Sequence, residues 1–336
     1  MGVTAALVGL ACALDLAGVH AVLRFVAAAA ALALLARLVG VATEQLGGRL
    51  GPGGAGSVQS ALGNLPELFV ALFALHRGLT GVVKAALIGS VLTNGLLVLG
   101  LAFFAGGVRH GVQQFHSSRA RTIATLTLLA AATLSIPTFA HELHAPAAAH
   151  ERTLSLICAG VLLAVFFATL PIFLAGEPGS LARPRWSLGL TIAVLAAGAV
   201  AAVFVSDWFV SALRPATSSL HMSEAFAGLV VVAIAGNAVE NVVGVQLALR
   251  NEVDFAVSVI VNSALQVALL LTPVILFASL FFTASLTLVF PPLLAVVLLL
   301  AAVVTAVVVY DGESTWPEGV VLVGLYVVIA AAFWWA

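Results

Sequence analysis

The chain has 336 residues, of which 62% are hydrophobic and 8% charged, and its formal net charge is −1. A soluble domain carries about 25% charged residues, so this composition, with a mean hydropathy of +1.20, excludes a soluble enzyme and marks a polytopic membrane protein. A net charge so near zero leaves no electrostatic footprint for nucleic acid; the expected surroundings are membrane lipid.

A membrane-crossing helix needs about 20 predominantly apolar residues, and on that ruler eleven spans are predicted, at roughly 3–19, 21–42, 57–75, 82–105, 121–140, 153–175, 187–210, 224–249, 254–279, 282–309 and 319–335. The first lacks a basic leader and a small-residue cleavage site before a polar domain, so it reads as a retained helix rather than a signal peptide. The breaks between spans are glycine-rich or polar. Gly47-Gly48-Arg49-Leu50-Gly51-Pro52-Gly53-Gly54 reads as a turn. Arg109 to Arg121 is basic, His141 to Arg152 is polar, Gly176 to Pro184 is a short linker, and Asp311-Gly312-Glu313-Ser314 turns before the last helix. Cys12 and Cys158 lie mid-span and read as small core residues, not a disulfide or metal pair. His141-Glu142-Leu143-His144, with His150, lacks the spacing of a metal-binding helix and reads as a solvated loop. Asp15 sits in the first helix with no assigned role, and Asp207 and Glu224 read as interface residues.

Two stretches stand out because each puts a glutamate inside an apolar run: Gly63-Asn64-Leu65-Pro66-Glu67-Leu68 and Gly236-Asn237-Ala238-Val239-Glu240-Asn241. A carboxylate at bilayer depth costs on the order of 2.5–3.5 kcal/mol, and such residues mark ion or proton pathways. Subtracting 63 from 236 gives 173, and the same offset carries Asn64 onto Asn237, Glu67 onto Glu240, Arg77 onto Arg250 and Ser90 onto Ser263. Several matches at one offset indicate an internal duplication. The expected organisation is an extra helix over 1–20, a first five-helix repeat over 21–176 and a second over 187–336, in one membrane domain. An odd number of spans per repeat makes the two copies enter the membrane from opposite sides, the inverted architecture of secondary transporters, with a binding site near the midplane. With the N-terminus inside, cytoplasmic ends hold Arg37, Arg49, Arg109, Arg119, Arg121, Arg183, Arg185 and Arg250, against Arg24, Arg77, Lys84, Arg152 and Arg214 outside; the bias favours a cytoplasmic N-terminus. Among 13 basic residues only Lys84 is lysine, which hints at a GC-rich bacterial genome and hence a plasma membrane.

Counting rise along the helices, Glu67 and Ser90 fall at similar depth on neighbouring spans, as do Glu240 and Ser263. Thr93 follows Ser90, and Gln266 follows Ser263, at i, i+3 on one helix face. The result is two carboxylates ringed by hydroxyl and amide oxygens, a set suited to a hard cation such as Ca²⁺ with six to eight oxygen ligands. Gly63 and Gly236, with Pro66, loosen the helices before each glutamate and free backbone carbonyls as further ligands. Asn64, Asn237 and Asn94 are candidates to gate or orient the glutamates. Protons and a divalent cation would compete for the same carboxylate oxygens, as an antiporter needs.

At these residues the chain resembles the cation/proton exchanger (CAX) family of the Ca²⁺/cation antiporter superfamily. Its first-repeat pattern stands here as Gly63-Asn64-Leu65-Pro66-Glu67-Leu68 and Gly89-Ser90-Val91-Leu92-Thr93-Asn94, its second as Gly236 to Asn241 and Ser263-Ala264-Leu265-Gln266. Ala42-Thr43-Glu44, Ser223-Glu224-Ala225-Phe226, Leu288-Val289-Phe290-Pro291-Pro292 and Asp311 to Gly319 add to it. The resemblance implies an eleven-helix Ca²⁺/H⁺ exchanger without a resident cofactor, Ca²⁺ and protons being its cargo. It implies acidic ligands at Glu67 and Glu240, hydroxyl and amide ligands at Ser90, Thr93, Ser263 and Gln266, and glycine carbonyls at Gly63 and Gly236. The chain departs from the pattern at Asn241, where a histidine is expected, at Asn262-Ser263-Ala264, and at Leu65-Pro66. These departures bear on the choice of ion, so a sodium-coupled Ca²⁺ exchanger or a proton antiporter for Mn²⁺, Na⁺ or K⁺ stays open. Sodium exchangers of the superfamily usually carry an aspartate where this chain has Val267, which favours protons. A channel would ring its pore with charges, and an intramembrane hydrolase would need a histidine at the depth of the glutamates, where none is expected.

Overall fold

The computed structural model describes residues 2–62, 64–115, 117–174 and 185–335. The fold is all-helical. In chain order come α1 (Gly2–Leu16), α2 (Ala21–Leu62), α3 (Leu65–His76), α4 (Thr80–Leu92), α5 (Leu99–His110), α6 (Ser117–Glu142), α7 (Glu151–Leu174) and α8 (Leu188–Leu220). Then follow α9 (Glu224–Phe226), α10 (Ala233–Gly236), α11 (Ala238–Leu249), α12 (Val253–Gln266), α13 (Thr272–Ser279), α14 (Pro292–Val308) and α15 (Trp316–Trp334). Wide π-helical turns at Thr93–Val98, Ala227–Val232 and Val267–Leu271 join α4 to α5, α9 to α10 and α12 to α13. Such turns are rare and gather at functional sites. Among the described residues, seven helices are long and apolar enough to cross a membrane. The pair over 224–249 is bent by 61°, and Gly2–Leu16, Leu65–His76 and Pro292–Val308 are shorter apolar helices.

Three expectations are corrected. The turn expected at residues 47–54 is helix, because α2 runs on to Leu62 before the chain breaks. Glycine permits a turn without dictating one, and tertiary surroundings override so weak a signal. The second half does break at the matching place, where His221 caps α8 in a left-handed conformation and Ser223 opens the next helix by accepting from Phe226 N at 2.9 Å. Secondly, 57–75 and 224–249 are not plain spans: each breaks into two helices just before its glutamate. Thirdly, the helix expected over 282–309 starts only at Pro292. Upstream of it, Leu286, Leu288 and Phe290 are buried at alternate positions. Their N–H groups donate to the hydroxyls of Ser279, Ser155 and Thr138 at 2.9 Å each, and Lys84 donates to the Val289 carbonyl. Side chains thus satisfy a buried extended backbone that hydropathy alone reads as helix.

The two halves of the chain interleave. α2 packs along α8, α3 on α8, α4 on the π turn 227–232, α11 on α5, and α14 on α6. The α5–α6 and α14–α15 loops pair as short antiparallel strands, β1 (Gln113–Gln114) and β2 (Glu313–Ser314), with Gln113 opposite Ser314. A His110 ring nitrogen lies 2.9 Å from the Leu249 carbonyl oxygen. The 31-residue helix Thr80–His110 is about 46 Å long, so it places the α3–α4 turn and the α11–α12 turn on opposite faces of the bundle. Arg77 and Asp207, at 2.5 Å, pair α3 with α8 on the first face. Arg24 pairs with Asp15, fastening α1, and Arg214 pairs with Glu224 at 2.8 Å. His141 meets Glu151 at 2.5 Å on the exposed surface. Cys12 and Cys158 are free thiols.

Helices in lipid associate through close packing of small residues. A Cβ on Gly89 would stand 2.3 Å from the Leu229 carbonyl oxygen, and one on Gly228 would stand 2.6 Å from the Val82 oxygen. α4 therefore crosses the 227–232 segment backbone against backbone, one residue from Ser90. Gly89→Ala is expected to destabilise the fold by about 1–3 kcal/mol, read as a lowered thermal midpoint in detergent; an unchanged midpoint would contradict this packing.

Candidate cation site

Glu67 lies in the first turn of α3 and Glu240 in the first turn of α11. Both helices begin just after another helix ends, and both carboxyls are buried, at 6% and 8% exposure. A helix N-terminus carries a partial positive charge, so each break turns a favourable end toward its glutamate. Pro66 at the start of α3 fits because that helical position needs no N–H donor. Ser90 is about 15 Å along α4 from its first residue, about half the thickness of a hydrocarbon core.

The side chains meet across the two halves. Glu67 Oε1 accepts from Ser90 Oγ at 2.7 Å and from Asn237 Nδ2 at 2.6 Å. Asn237 Nδ2 also lies 3.0 Å from Ser90 Oγ and 2.9 Å from the Ala233 carbonyl oxygen. Asn94 Nδ2 donates to Asn237 Oδ1 at 2.9 Å and to Ser263 Oγ at 3.1 Å. Ser263 Oγ stands 3.4 Å from Asn237 Oδ1. Glu67 Oε2, Asn94 Oδ1 and Asn64 Nδ2 are buried without a hydrogen-bond partner among the described residues. Unmet acceptors in a buried polar cluster call for a water or an ion. Beside Glu67 is a cavity of about 20 Å³, lined by Val70, Ala71, Val83, Leu87 and Ser90, room for one water.

Gly236 is where the first half's glutamate crosses the second half's broken helix. A Cβ there would stand 2.4 Å from Glu67 Cγ and 2.7 Å from Oε1. Gly63 lies outside the described residues. Gln266 is buried where α12 gives way to its π turn. Thr93 is fully buried, but its hydroxyl meets Tyr326 Oη of α15 at 3.1 Å. Sequence reasoning missed Tyr326; the only signal was a phenol inside an apolar span.

Two helices that each break just before a buried glutamate, and a hydrogen-bonded cluster that joins both halves of an all-helical membrane bundle, fit a membrane ion exchanger of the cation-antiporter class. The sodium/calcium exchanger protein family model matches residues 20–175 and again 190–335, and the chain belongs to that family. It is 33% identical over 312 residues to the Ca²⁺/H⁺ antiporter ChaA of Bacillus subtilis (strain 168), covering 89% of this chain and 88% of that protein. The solved structure of native YfkE superposes with a TM-score of 0.87 at 31% identity, covering 99% of this chain and 98% of that one. The crystal structure of the H⁺/Ca²⁺ exchanger CAX gives a TM-score of 0.79 at 15% identity, covering 98% and 90%, a likeness of fold alone. Within the family, the chain falls with the cation/proton exchangers.

Proposed function

We propose that the protein is a proton-coupled cation antiporter that exchanges Ca²⁺ for H⁺ by alternating access. Glu67 and Glu240 bind the cation or protons in mutual exclusion. Ser90, Ser263, Thr93, Gln266 and the carbonyls of Gly63 and Gly236 complete the oxygen set, and Asn64, Asn94 and Asn237 orient it. The observation that carries the reading is the buried cluster of Glu67, Ser90 and Asn237, in which polar side chains from both halves meet and Glu67 Oε2 has no partner among the described residues. A relative at 33% identity is named a Ca²⁺/H⁺ antiporter, which supports Ca²⁺ as cargo.

The same proposal takes the architecture as eleven spans: an N-terminal helix, residues 1–20, and inverted five-helix repeats at 21–176 and 187–336. Three observations support it. The family model matches twice. The π turns Thr93–Val98 and Val267–Leu271 follow Ser90 and Ser263 at like positions. The α3–α4 and α11–α12 turns, matching under the repeat, lie on opposite faces. The membrane is the bacterial plasma membrane, with the N-terminus cytoplasmic, as the arginine distribution favours.

The chemistry follows from charge. A buried carboxylate pair is tolerated when it holds two positive charges, and both Ca²⁺ and two protons supply them. Metal ligands must be deprotonated to bind, so protons compete directly. For one competing proton, apparent Ca²⁺ affinity falls up to about tenfold per pH unit as pH drops through the titration range. The test uses sealed liposomes with an acidic lumen and a pH dye inside. External Ca²⁺ is expected to alkalinise the lumen, and more weakly so as external pH falls. Ca²⁺ uptake that needs internal Na⁺ and moves no protons would overturn the assignment in favour of sodium coupling.

A further inference from the structure

The offset of 173 pairs Asn64 with Asn237, Glu67 with Glu240 and Ser90 with Ser263, yet the structure uses the mates unequally. The Asn237 amide reaches across to the other half and holds both Glu67 and Ser90, at 2.6 and 3.0 Å. Asn64 has the matching position beside the other break, and its Nδ2 is buried with no partner among the described residues. The serines differ in the same sense. Ser90 donates to its glutamate at 2.7 Å, whereas Ser263 Oγ sits with Asn94 and Asn237 at 3.1 and 3.4 Å. The packing is lopsided too: α3 lies along α8 and is joined to it by Arg77 and Asp207, while among the described residues the matching contact of α11 on α2 is less extensive.

We propose that Asn64 and Asn237 are alternating positioning residues that set the balance between the two access states. Each amide ties down the other half's glutamate and serine in one state and releases them in the other. In the state opposite to this one, Asn64 donates to Glu240 and Ser263, and Asn237 lets go of Glu67. A buried donor without a partner is disfavoured, and here either state leaves one amide donor unmet, so the exchange trades like for like. Two conformations of nearly equal energy are what a rapid exchanger needs. Asn94, donating to Asn237 Oδ1 and Ser263 Oγ, bridges the tied and untied halves. This inference rests on the two-carboxylate reading above.

The test compares apparent Ca²⁺ affinity on the two faces, using the full chain in right-side-out and inside-out vesicles. An access state populated less binds its ligand with proportionally weaker apparent affinity. Asn64→Ala and Asn237→Ala are expected to move the ratio of the two affinities in opposite directions, each by about tenfold, the scale of a lost charge-assisted hydrogen bond. The double variant is expected to return the ratio toward that of the unsubstituted protein. A merely structural role would lower both affinities together and leave the ratio alone. Serine variants serve where an alanine variant fails to fold. Labelling of Ala74→Cys by an impermeant maleimide, with Cys12 and Cys158 replaced by serine, gives a second measure of opening on the α3–α4 face. Ratio shifts in the same direction, or no shift from Asn64, overturn the inference. Glu67→Gln and Glu240→Gln, run in parallel, separate its failure from that of the site: if both are inactive, the two-carboxylate reading stands whatever the asparagines do.

Discussion

Glu67→Gln and Glu240→Gln each cut Ca²⁺-driven proton flux by at least about 100-fold, the scale of losing a charge-assisted ligand interaction of about 3 kcal/mol. Glutamine keeps the shape and an accepting oxygen, so in Glu67→Gln the donors Ser90 Oγ and Asn237 Nδ2 still have a partner. The fold is retained and the comparison isolates charge. What disappears is one of the negative charges that offset Ca²⁺ and the site that carries a proton back. Binding and coupling therefore fail together, which a loss of packing would not produce. Either variant keeping full exchange would show that one carboxylate suffices.

Gly236→Val closes the site without touching a charged group. A Cβ at this position already stands 2.4 Å from Glu67 Cγ and 2.9 Å from Cδ, and two further methyls make the crossing impossible without moving α3 away from α10. Overpacking costs typically 1–3 kcal/mol, but the geometric consequence is larger than the energetic one. Glu67 leaves hydrogen-bond reach of Asn237, and the polar side chains of the two halves no longer meet. Transport is expected to fall by about 100-fold or more, since cation ligands held about 1 Å out of place no longer function as a set, with folded protein still recovered by size-exclusion chromatography. Transport at half the original rate or better would mean that the tight crossing has no part in the site.

Much of this site was legible in sequence because burying charge in a membrane is so costly. Two glutamates in apolar runs, repeated at one offset with Asn, Ser and Arg mates, carry information that needs no structure. Depth counting put Ser90 beside Glu67, and the two are 2.7 Å apart. What sequence could not supply was the partner from the other half. Nothing in the spacing says that Asn237 holds Glu67 rather than its own neighbour Glu240, because that depends on how the halves interleave. The i, i+3 spacing of Thr93 from Ser90 likewise gave no sign that its hydroxyl meets Tyr326 of α15 at 3.1 Å.

The fold was legible to the same limit. Hydropathy finds apolar residues and cannot tell a helix from a buried extended segment whose N–H groups are met by Ser279, Ser155 and Thr138. Nor does a run of glycines report whether it turns. Residues 47–54 are helical, while the matching region of the second half turns at His221. The two halves share a sequence pattern and adopt different local conformations.

The central claim is that protons and the cation occupy the same two carboxylates in turn, and the most direct measurement is proton release on binding. Purified protein in weakly buffered detergent solution at acidic pH is titrated with Ca²⁺ while a pH indicator counts the protons freed. The account predicts release that saturates with Ca²⁺, up to about two protons per cation bound, and is lost in Glu67→Gln/Glu240→Gln. Saturable Ca²⁺ binding with no proton release would contradict it.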